Sequence, residues 1–412
     1  MDRHKQALHP AGRPHHNNAM PPTAADLDQF INDDLALRAS ARQLRLRRPL
    51  TIVSSTHVLI DGIQYVNFAS NNYLGFTHHP RLIAAAQQSL AREGLGSGAA
   101  ALITGYSTRH ADAETAIARW KGAQDAVLLP SGYQANLAAI QTLLALGEKR
   151  GGVRFLIDKL AHASLLDGVR GASATFRVFP HNHLGKVARL LESAPPEQLQ
   201  VVLTESIFSM DGDAADLAGL AELKRRRPFL LLLDEAHGSG VYGPDGAGYA
   251  AELKLHDVVD VSIVTLSKAM GCVGGAVCAS KKFCEAVVNY GRAFIYTTAI
   301  PPWVATAACE AINIMRDEPQ RQARVRELAR RVRKRAHALS LRVPAGDSPI
   351  IPIILGEEKA ALEASSRLAE AGLLVPAVRP PTVARCASRL RVTLSCDHTD
   401  VEVETLLAAL AG

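Results

Sequence analysis

FLLLLDEAHG (Phe229–Gly238) and its counterpart VSIVTLSKAMG (Val261–Gly271) decide the fold. Each is an apolar run with no polar face that ends abruptly on chemistry: Asp234 and His237 in one, Thr265, Ser267 and Lys268 in the other. Runs of this kind are strands buried on both faces, as in a parallel sheet covered by helices. Similar runs occur at Ala126–Leu129, Val153–Ile157, Thr175–Val178, Val201–Thr204 and Gly275–Cys278. Helical patterns at Ala135–Leu146, Gly185–Leu191 and Leu217–Arg226 separate them. The alternation predicts an α/β fold with a mostly parallel central sheet. Such sheets bind ligands beyond the carboxyl ends of their strands, where these polar residues fall.

Toward the N-terminus, Val58–Ile60 and Tyr65–Phe68 flank Asp61-Gly62 and read as a hairpin. The spacing before it predicts a helix from Ala24 to Arg45. Residues 1–23, with His15 and His16, read as a disordered polar tail without the apolar centre of a signal peptide. Beyond Pro319, QRQARVRELARRVRKRAHAL places Val325, Leu328, Val332, Ala336 and Leu339 on one helical stripe. Its arginines form either an anion-binding helix or, more plainly, a solvated basic face. Ile350–Leu355, a helix at Lys359–Ala371, Leu373–Val378, Leu390–Leu394 and a last helix from Asp400 complete a small α+β unit. The expected organisation is a tail (1–23), an N-terminal helix and hairpin segment (24–75), a large domain (76–315) and a small C-terminal domain (316–412).

At 412 residues, 48% hydrophobic and 21% charged, the chain is long enough for two or three domains. That composition excludes disordered, collagenous and coiled-coil classes. A net charge of +6 suits anionic substrates and is too small to imply nucleic acid. The 6 cysteines include no CxxC pair and read as reduced thiols of a cytoplasmic protein. No apolar run approaches the ~18 residues that would cross a membrane.

The string Asp234-Glu-Ala-His237 invites a nucleotide-driven motor, with the Asp holding Mg²⁺. That reading needs a GxxxxGK[ST] loop, and neither Gly-Lys-Ser nor Gly-Lys-Thr occurs in the chain. The Lys268 segment fits a different chemistry: an amine that forms a Schiff base beside a bound phosphate. In Leu129-Pro-Ser131-Gly132-Tyr133-Gln-Ala-Asn136, a strand ends and a helix opens, and free N–H groups there bind phosphate. Taken alone, Ser131 is an ordinary N-cap. Taken together, the segments meet the needs of pyridoxal 5′-phosphate (PLP): a lysine for its aldehyde, a carboxylate for its ring nitrogen, and a cradle for its phosphate.

With these motifs the chain resembles the α-oxoamine synthases, a branch of the fold-type I (aspartate aminotransferase-like) PLP-dependent transferases. The resemblance runs from about Arg45 to about Ala411. It is carried by NFASNNYLGF (Asn67–Phe76), GLGSG (Gly94–Gly98), TGYSTRH (Thr104–His110), SGYQAN, AHASLLDG (Ala161–Gly168), TESIFSMDGD (Thr204–Asp213), DEAHGSGVYG, TLSKAMG, FIYTTAIPP (Phe294–Pro302), SPIIPIILG (Ser348–Gly356) and RPPTVARCASRLR (Arg379–Arg391).

The resemblance implies the following roles. Lys268 is the Schiff-base lysine, Asp234 pairs with the pyridinium nitrogen, and His237 meets the ring 3′-oxygen. His162 covers the ring face, and Ser209 lies near the phenolic oxygen. Gly132, Tyr133 and Thr265 hold the phosphate, and Thr297 or Thr298 reaches that of a neighbouring subunit. Arg391 takes the amino-acid carboxylate, assisted by Asn71, and Arg45 and Thr382 match positions that contact substrate. Ser209 could instead cap its own turn, Arg45 could yield its place to Arg47 or Arg48, and Thr382 could only shape a Pro-rich turn. His110 reads as structural. No metal is implied.

The implied reaction is decarboxylative condensation of an amino acid with an acyl thioester, carried out by a homodimer with shared sites. HASLLDG, FIYTTAIPP and RPPTV look most like the biotin-pathway branch, which uses L-alanine and a pimeloyl thioester of coenzyme A or acyl carrier protein. Glycine C-acetyltransferase, or a relative using Gly or Ser, is the alternative. Ala99–Ala101, His183, Asp216, Ala384 and Cys386 depart from the family pattern. None belongs to the implied cofactor set, but Ala384 and Cys386 lie beside Thr382.

Overall fold

The structure is a computed structural model that describes residues 23–41 and 43–411. The tail residues 1–22, with His15 and His16, lie outside the described residues. The chain divides into two units, Met1–Pro49 and Leu50–Gly412.

In the first unit a helix spans Ala24–Ser40. Thr23 caps it: its hydroxyl accepts from the Asp26 N–H at 3.3 Å, and the Asp26 carboxylate accepts from the Thr23 N–H at 2.7 Å. The helix is shorter than the expected Ala24–Arg45. It stops where the Ser40 hydroxyl bonds back to the Leu37 carbonyl at 2.9 Å. Leu27, Phe30 and Leu37 of this helix are exposed.

The second unit is built on a seven-stranded sheet. Its order is Asp125–Leu129, Gly275–Ala279, Val261–Thr265, Leu230–Asp234, Leu199–Glu205, Val153–Asp158, Thr175–Phe179. Gly275–Ala279 is antiparallel to both neighbours and the other pairings are parallel. Each strand contains nearly all of its expected apolar run. Alternation then assigns the side chains to faces. Val201, Leu203, Leu232 and Ile263 share one core with Ala135, Ala138 and Ile140 of the helix Gly132–Gly147. Val202, Leu231 and Leu233 belong to a core on the other face. The next residues in the first register are Glu205, Asp234 and Thr265, so the strand ends turn polar on the face that carries the helix Gly132–Gly147.

Two small sheets flank this core. The hairpin strands His57–Ile60 and Ile63–Asn67 pair antiparallel, and Leu373–Leu374 runs parallel to the second, with Leu373 opposite Val66. The expected single strand Leu373–Val378 is two. Ala377–Val378 leaves that sheet and pairs with Ser388–Thr393. Pro376, which has no N–H to donate, separates the two pieces.

On the helix Gln320–Ala338, Arg330, Lys334 and Arg335 form the expected solvated basic face, and other arginines depart from both readings. Arg326 pairs with Asp347 at 2.8 Å and Glu252 at 3.0 Å, Arg324 with Asp400 at 2.9 Å, and Arg331 with Glu404 at 2.9 Å. Arg333 is buried and donates to the carbonyls of Ser348 and Ile350, each at 2.6 Å. These side chains fasten the helix to its neighbours, and they are neither an anion site nor a free basic face.

Candidate active site

Asp234 and Glu205 sit side by side at the ends of adjacent strands, both buried. Asp234 Oδ1 accepts from the Ala236 N–H at 2.9 Å and Oδ2 from the Asn136 amide at 2.7 Å. The same amide donates to Ser164 Oγ at 2.9 Å, which lies 2.7 Å from His162 Nδ1. The Ser164 N–H also points at Nδ1, at 3.2 Å. His162 is the N-cap of the helix Ala163–Gly171, and burial holds its imidazole below the ordinary histidine pKa. Burial raises the Glu205 carboxyl well above the usual range, and the charge of Asp234 adds to this.

A second chain of contacts starts at Lys268, in the turn after Val261–Thr265. Its Nζ lies 2.8 Å from His237 Nε2, and His237 Nδ1 lies 2.6 Å from the Tyr73 hydroxyl. That hydroxyl reaches Asn71 Oδ1 at 3.3 Å, and Arg391 Nη2 donates to the same oxygen at 3.2 Å. Burial pushes the Lys268 amine down to about 8, against the opposing pull of Asp234 and Glu205. Burial pushes His237 well below its ordinary value, and the Lys268 and Arg391 charges add to the effect. His237 is therefore neutral, and its Nε2 accepts from the lysine.

Arg391 and Arg389 share the strand Ser388–Thr393 and both are buried. Arg389 is neutralised by Asp211 at 2.6 Å. Arg391 instead donates to neutral oxygens: Ser209 O at 2.7 Å, Thr393 Oγ1 at 2.9 Å and Asn71 Oδ1. A buried guanidinium held by dipoles suits a carboxylate brought by a ligand.

The helix Gly132–Gly147 opens against Thr265. A Cβ on Gly132 would meet Thr265 Cβ at 3.2 Å and Oγ1 at 3.3 Å, so a larger residue would crowd the contact. Thr265 Oγ1 lies 2.8 Å from Ser267 Oγ. Ser131 caps the helix, accepting from the Gln134 N–H at 3.1 Å, and the Gln134 amide donates to Thr297 Oγ1 at 3.3 Å. Tyr133 donates to Asp167 at 2.7 Å. Thr298 forms an isolated bridge with Ala100, which sets the Ala99–Ala101 departure beside this segment.

Thr382 stands in the exposed turn before Ser388–Thr393, its N–H donating to the Arg379 carbonyl at 3.0 Å. Arg45 belongs to the N-terminal unit. His110 is structural: its ring accepts from the Ser107 N–H at 3.1 Å and bonds the Ile300 carbonyl at 2.7 Å. The structure thus joins Lys268, His237, Asn71 and Arg391 in one network and Asp234 with His162 in another, and it packs Thr265 on Gly132.

Three residues that sequence reasoning left without a role belong to these networks, Asn136, Ser164 and Tyr73, and a fourth, Glu205, stands beside Asp234. Strand parity could have found Glu205, which ends its strand in register with Asp234. All four lie inside quoted motifs, and only their through-space partners mark Asn136, Ser164 and Tyr73.

The donor set fits PLP. It offers one buried amine, one carboxylate that accepts from an amide donor, a helix N-terminus with two hydroxyls for a phosphate, and an arginine for a second anion. Asn136 Oδ1 and Glu205 Oε1, both beside Asp234, are buried without a hydrogen-bond partner among the described residues.

Aminotransferase class I and II is the family whose pattern matches, over residues 63–410. The chain belongs to this family. It is 41% identical over 383 residues to the 8-amino-7-oxononanoate synthase of Stutzerimonas stutzeri (strain A1501), with 92% of this chain and 96% of that one covered. It is 42% identical over 378 residues to the protein of the same name from Pseudomonas putida KT2440, with 92% and 95% covered. Among solved structures, Sphingomonas wittichii serine palmitoyltransferase superposes with a TM-score of 0.87 at 28% identity, covering 95% of this chain and 98% of that one. The 8-amino-7-oxononanoate synthase of Francisella tularensis does so at 0.73 and 26%, covering 84% and 97%. The chain is a PLP-dependent enzyme with the fold of this family. Among the described residues, no helix is long and apolar enough to cross a membrane.

Proposed function

We propose that the enzyme condenses L-alanine with a pimeloyl thioester, on coenzyme A or acyl carrier protein, to give 8-amino-7-oxononanoate, CO₂ and free thiol, a step of biotin biosynthesis. The observation that carries this reading is 41% identity to enzymes of that name over 92% of the chain, coupled to a site that holds the required groups.

When bound, PLP supplies an electron sink conjugated to the amino-acid nitrogen. Lys268 would hold its aldehyde, Asp234 its ring nitrogen, His237 its 3′-oxygen with Ser209 nearby, and His162 its face. Gly132, Tyr133 and Thr265 would hold its phosphate. Arg391, steadied by Asn71, binds the alanine carboxylate and so orients the Cα–H bond. Lys268 as a free amine takes the Cα proton, and an amine near 8 is well matched to this. A carbon–carbon bond then forms between Cα and the thioester carbonyl, and the thiolate leaves. The carboxylate departs as CO₂, and the Lys268 ammonium returns the proton to Cα. Arg45 and Thr382 are proposed to contact substrate.

We further propose a cytoplasmic homodimer with shared sites, Thr297 or Thr298 reaching the partner's phosphate. Exposed Leu95, Ile103 and Tyr296 support such an interface, because their segments meet at the Ala100–Thr298 bridge. The large PLP domain would be 76–315, flanked by segment 24–75 and the small domain 316–412. The likeness to serine palmitoyltransferase favours a second reading, with L-serine and a long-chain acyl thioester. Thiol release from a matrix of Ala, Gly and Ser against pimeloyl-, acetyl- and palmitoyl-CoA separates them. Alanine with pimeloyl-CoA should be fastest, and preference for glycine with acetyl-CoA or serine with palmitoyl-CoA would replace the assignment.

A further inference from the structure

We infer that Asn136 is a positioning residue whose single amide holds the Asp234 carboxylate and, through the Ser164 hydroxyl, directs a hydrogen bond onto His162 Nδ1. The inference rests on the reading above that Asp234 and His162 serve the cofactor.

Asn136 is 1% exposed, on the helix that opens at the proposed phosphate cradle. Its amide nitrogen has two hydrogens. One goes to Asp234 Oδ2 at 2.7 Å and the other to Ser164 Oγ at 2.9 Å. The opposite amide orientation would set its oxygen 2.7 Å from a carboxylate, so the donor assignment follows from charge. Ser164 Oγ accepts this hydrogen, and its own single hydrogen is then directed to His162 Nδ1 at 2.7 Å. The Ser164 N–H also donates to Nδ1, at 3.2 Å. Nδ1 is therefore an acceptor, and the proton of the neutral ring sits on Nε2.

Every link in the chain Asp234–Asn136–Ser164–His162 thus has a set direction. Two groups on different elements, a strand-end carboxylate and a helix-cap imidazole, are reached from one side chain, directly and through Ser164. Only a side chain with two hydrogens on one atom serves both arms. Asn136 Oδ1 is buried without a partner among the described residues, and its donor end makes the side chain's hydrogen bonds there.

Asn136→Ala and Ser164→Ala test this on the full-length protein. PLP affinity is measured by titrating apoprotein, and the imidazole nitrogens of His162 are read by ¹⁵N NMR of ¹⁵N-histidine-labelled apoprotein. Asn136→Ala should weaken PLP binding about 10- to 100-fold, the range for a lost hydrogen bond to a charged group. Both variants should move the Nδ1 resonance of His162, while Ser164→Ala, which keeps the Asn136–Asp234 bond, weakens PLP binding less. Wild-type PLP affinity in Asn136→Ala, or unmoved His162 nitrogens in either variant, overturns the inference. If Asn136→Ala does not fold, Asn136→Leu, which fills a similar volume without a donor, is read by the same PLP titration and the same His162 resonance, with the same outcomes. Failure of the cofactor reading looks different: wild-type apoprotein then takes up no PLP, or Lys268→Ala keeps the wild-type visible absorbance.

Discussion

Nζ of Lys268 lies 2.8 Å from Nε2 of His237, and the contact continues through Tyr73 and Asn71 to Arg391. The proposed base and the proposed carboxylate anchor therefore share one line of hydrogen bonds. With His237 neutral and accepting at Nε2, its Nδ1–H donates to the Tyr73 oxygen and the Tyr73 hydroxyl donates to Asn71. Tyr73→Phe removes the central link without changing shape. It should lower kcat/KM for alanine about tenfold, the scale of one buried hydrogen bond. Steady-state kinetics with varied alanine measure this, and an unchanged value would show that the line carries no function.

Lys268→Ala should abolish the visible absorbance of the PLP-loaded enzyme and its thiol release together. A variant that keeps the absorbance would move the cofactor lysine elsewhere.

The depressed Lys268 pKa has a consequence for stability. Between about 8, its folded value, and 10.5, its ordinary one, the unfolded chain holds a proton that the folded apoprotein does not. Stability from this group rises with pH across that window. Apoprotein melting curves should show wild type gaining on Lys268→Met as pH climbs from 8 toward 10.5. Parallel curves would contradict the shift.

Arg391→Ala should raise KM for alanine and cut kcat/KM about 100-fold, the upper range for hydrogen bonds to a charged group. Arg391→Lys should rescue little, because an ammonium cannot present two parallel donors. Full activity in Arg391→Lys would exclude a bidentate carboxylate contact.

Beside Asp234, Glu235 forms a buried ion pair with Lys121, each side chain 2% exposed, and Lys121 also donates to Ser239 Oγ at 3.2 Å. Lys121→Met leaves the Glu235 charge alone and should destabilise the apoprotein by about 3–5 kcal/mol. Denaturant unfolding measures the change, and adding Glu235→Gln should recover part of it. A loss under about 1 kcal/mol, the scale of an exposed pair, would contradict the buried pairing.

The sheet was legible because its strands are apolar on both faces and end on Asp234, Thr265 and Glu205. Periodicity records that directly. It does not record where local order ends: Ser40 stops the first helix by a side-chain bond, and Pro376 sends two residues on each side of it to different sheets. Long-range charge pairing was also hidden. Arg324, Arg326 and Arg331 of Gln320–Ala338 meet Asp347, Asp400 and Glu404, which no local pattern links to them. In the site, Lys268, Asp234 and His237 stood out by residue type at strand ends. Asn136, Ser164 and Tyr73 did not, because an amide and two hydroxyls acquire a role only from what folding places opposite them.

The most direct measurement uses L-alanine labelled at the carboxyl carbon, incubated with the PLP-loaded enzyme and pimeloyl-CoA. The account predicts one labelled CO₂ and one free thiol per turnover, with the alanine nitrogen retained in the amino ketone. Labelled CO₂ without thiol, or a faster reaction of glycine with acetyl-CoA, would contradict it.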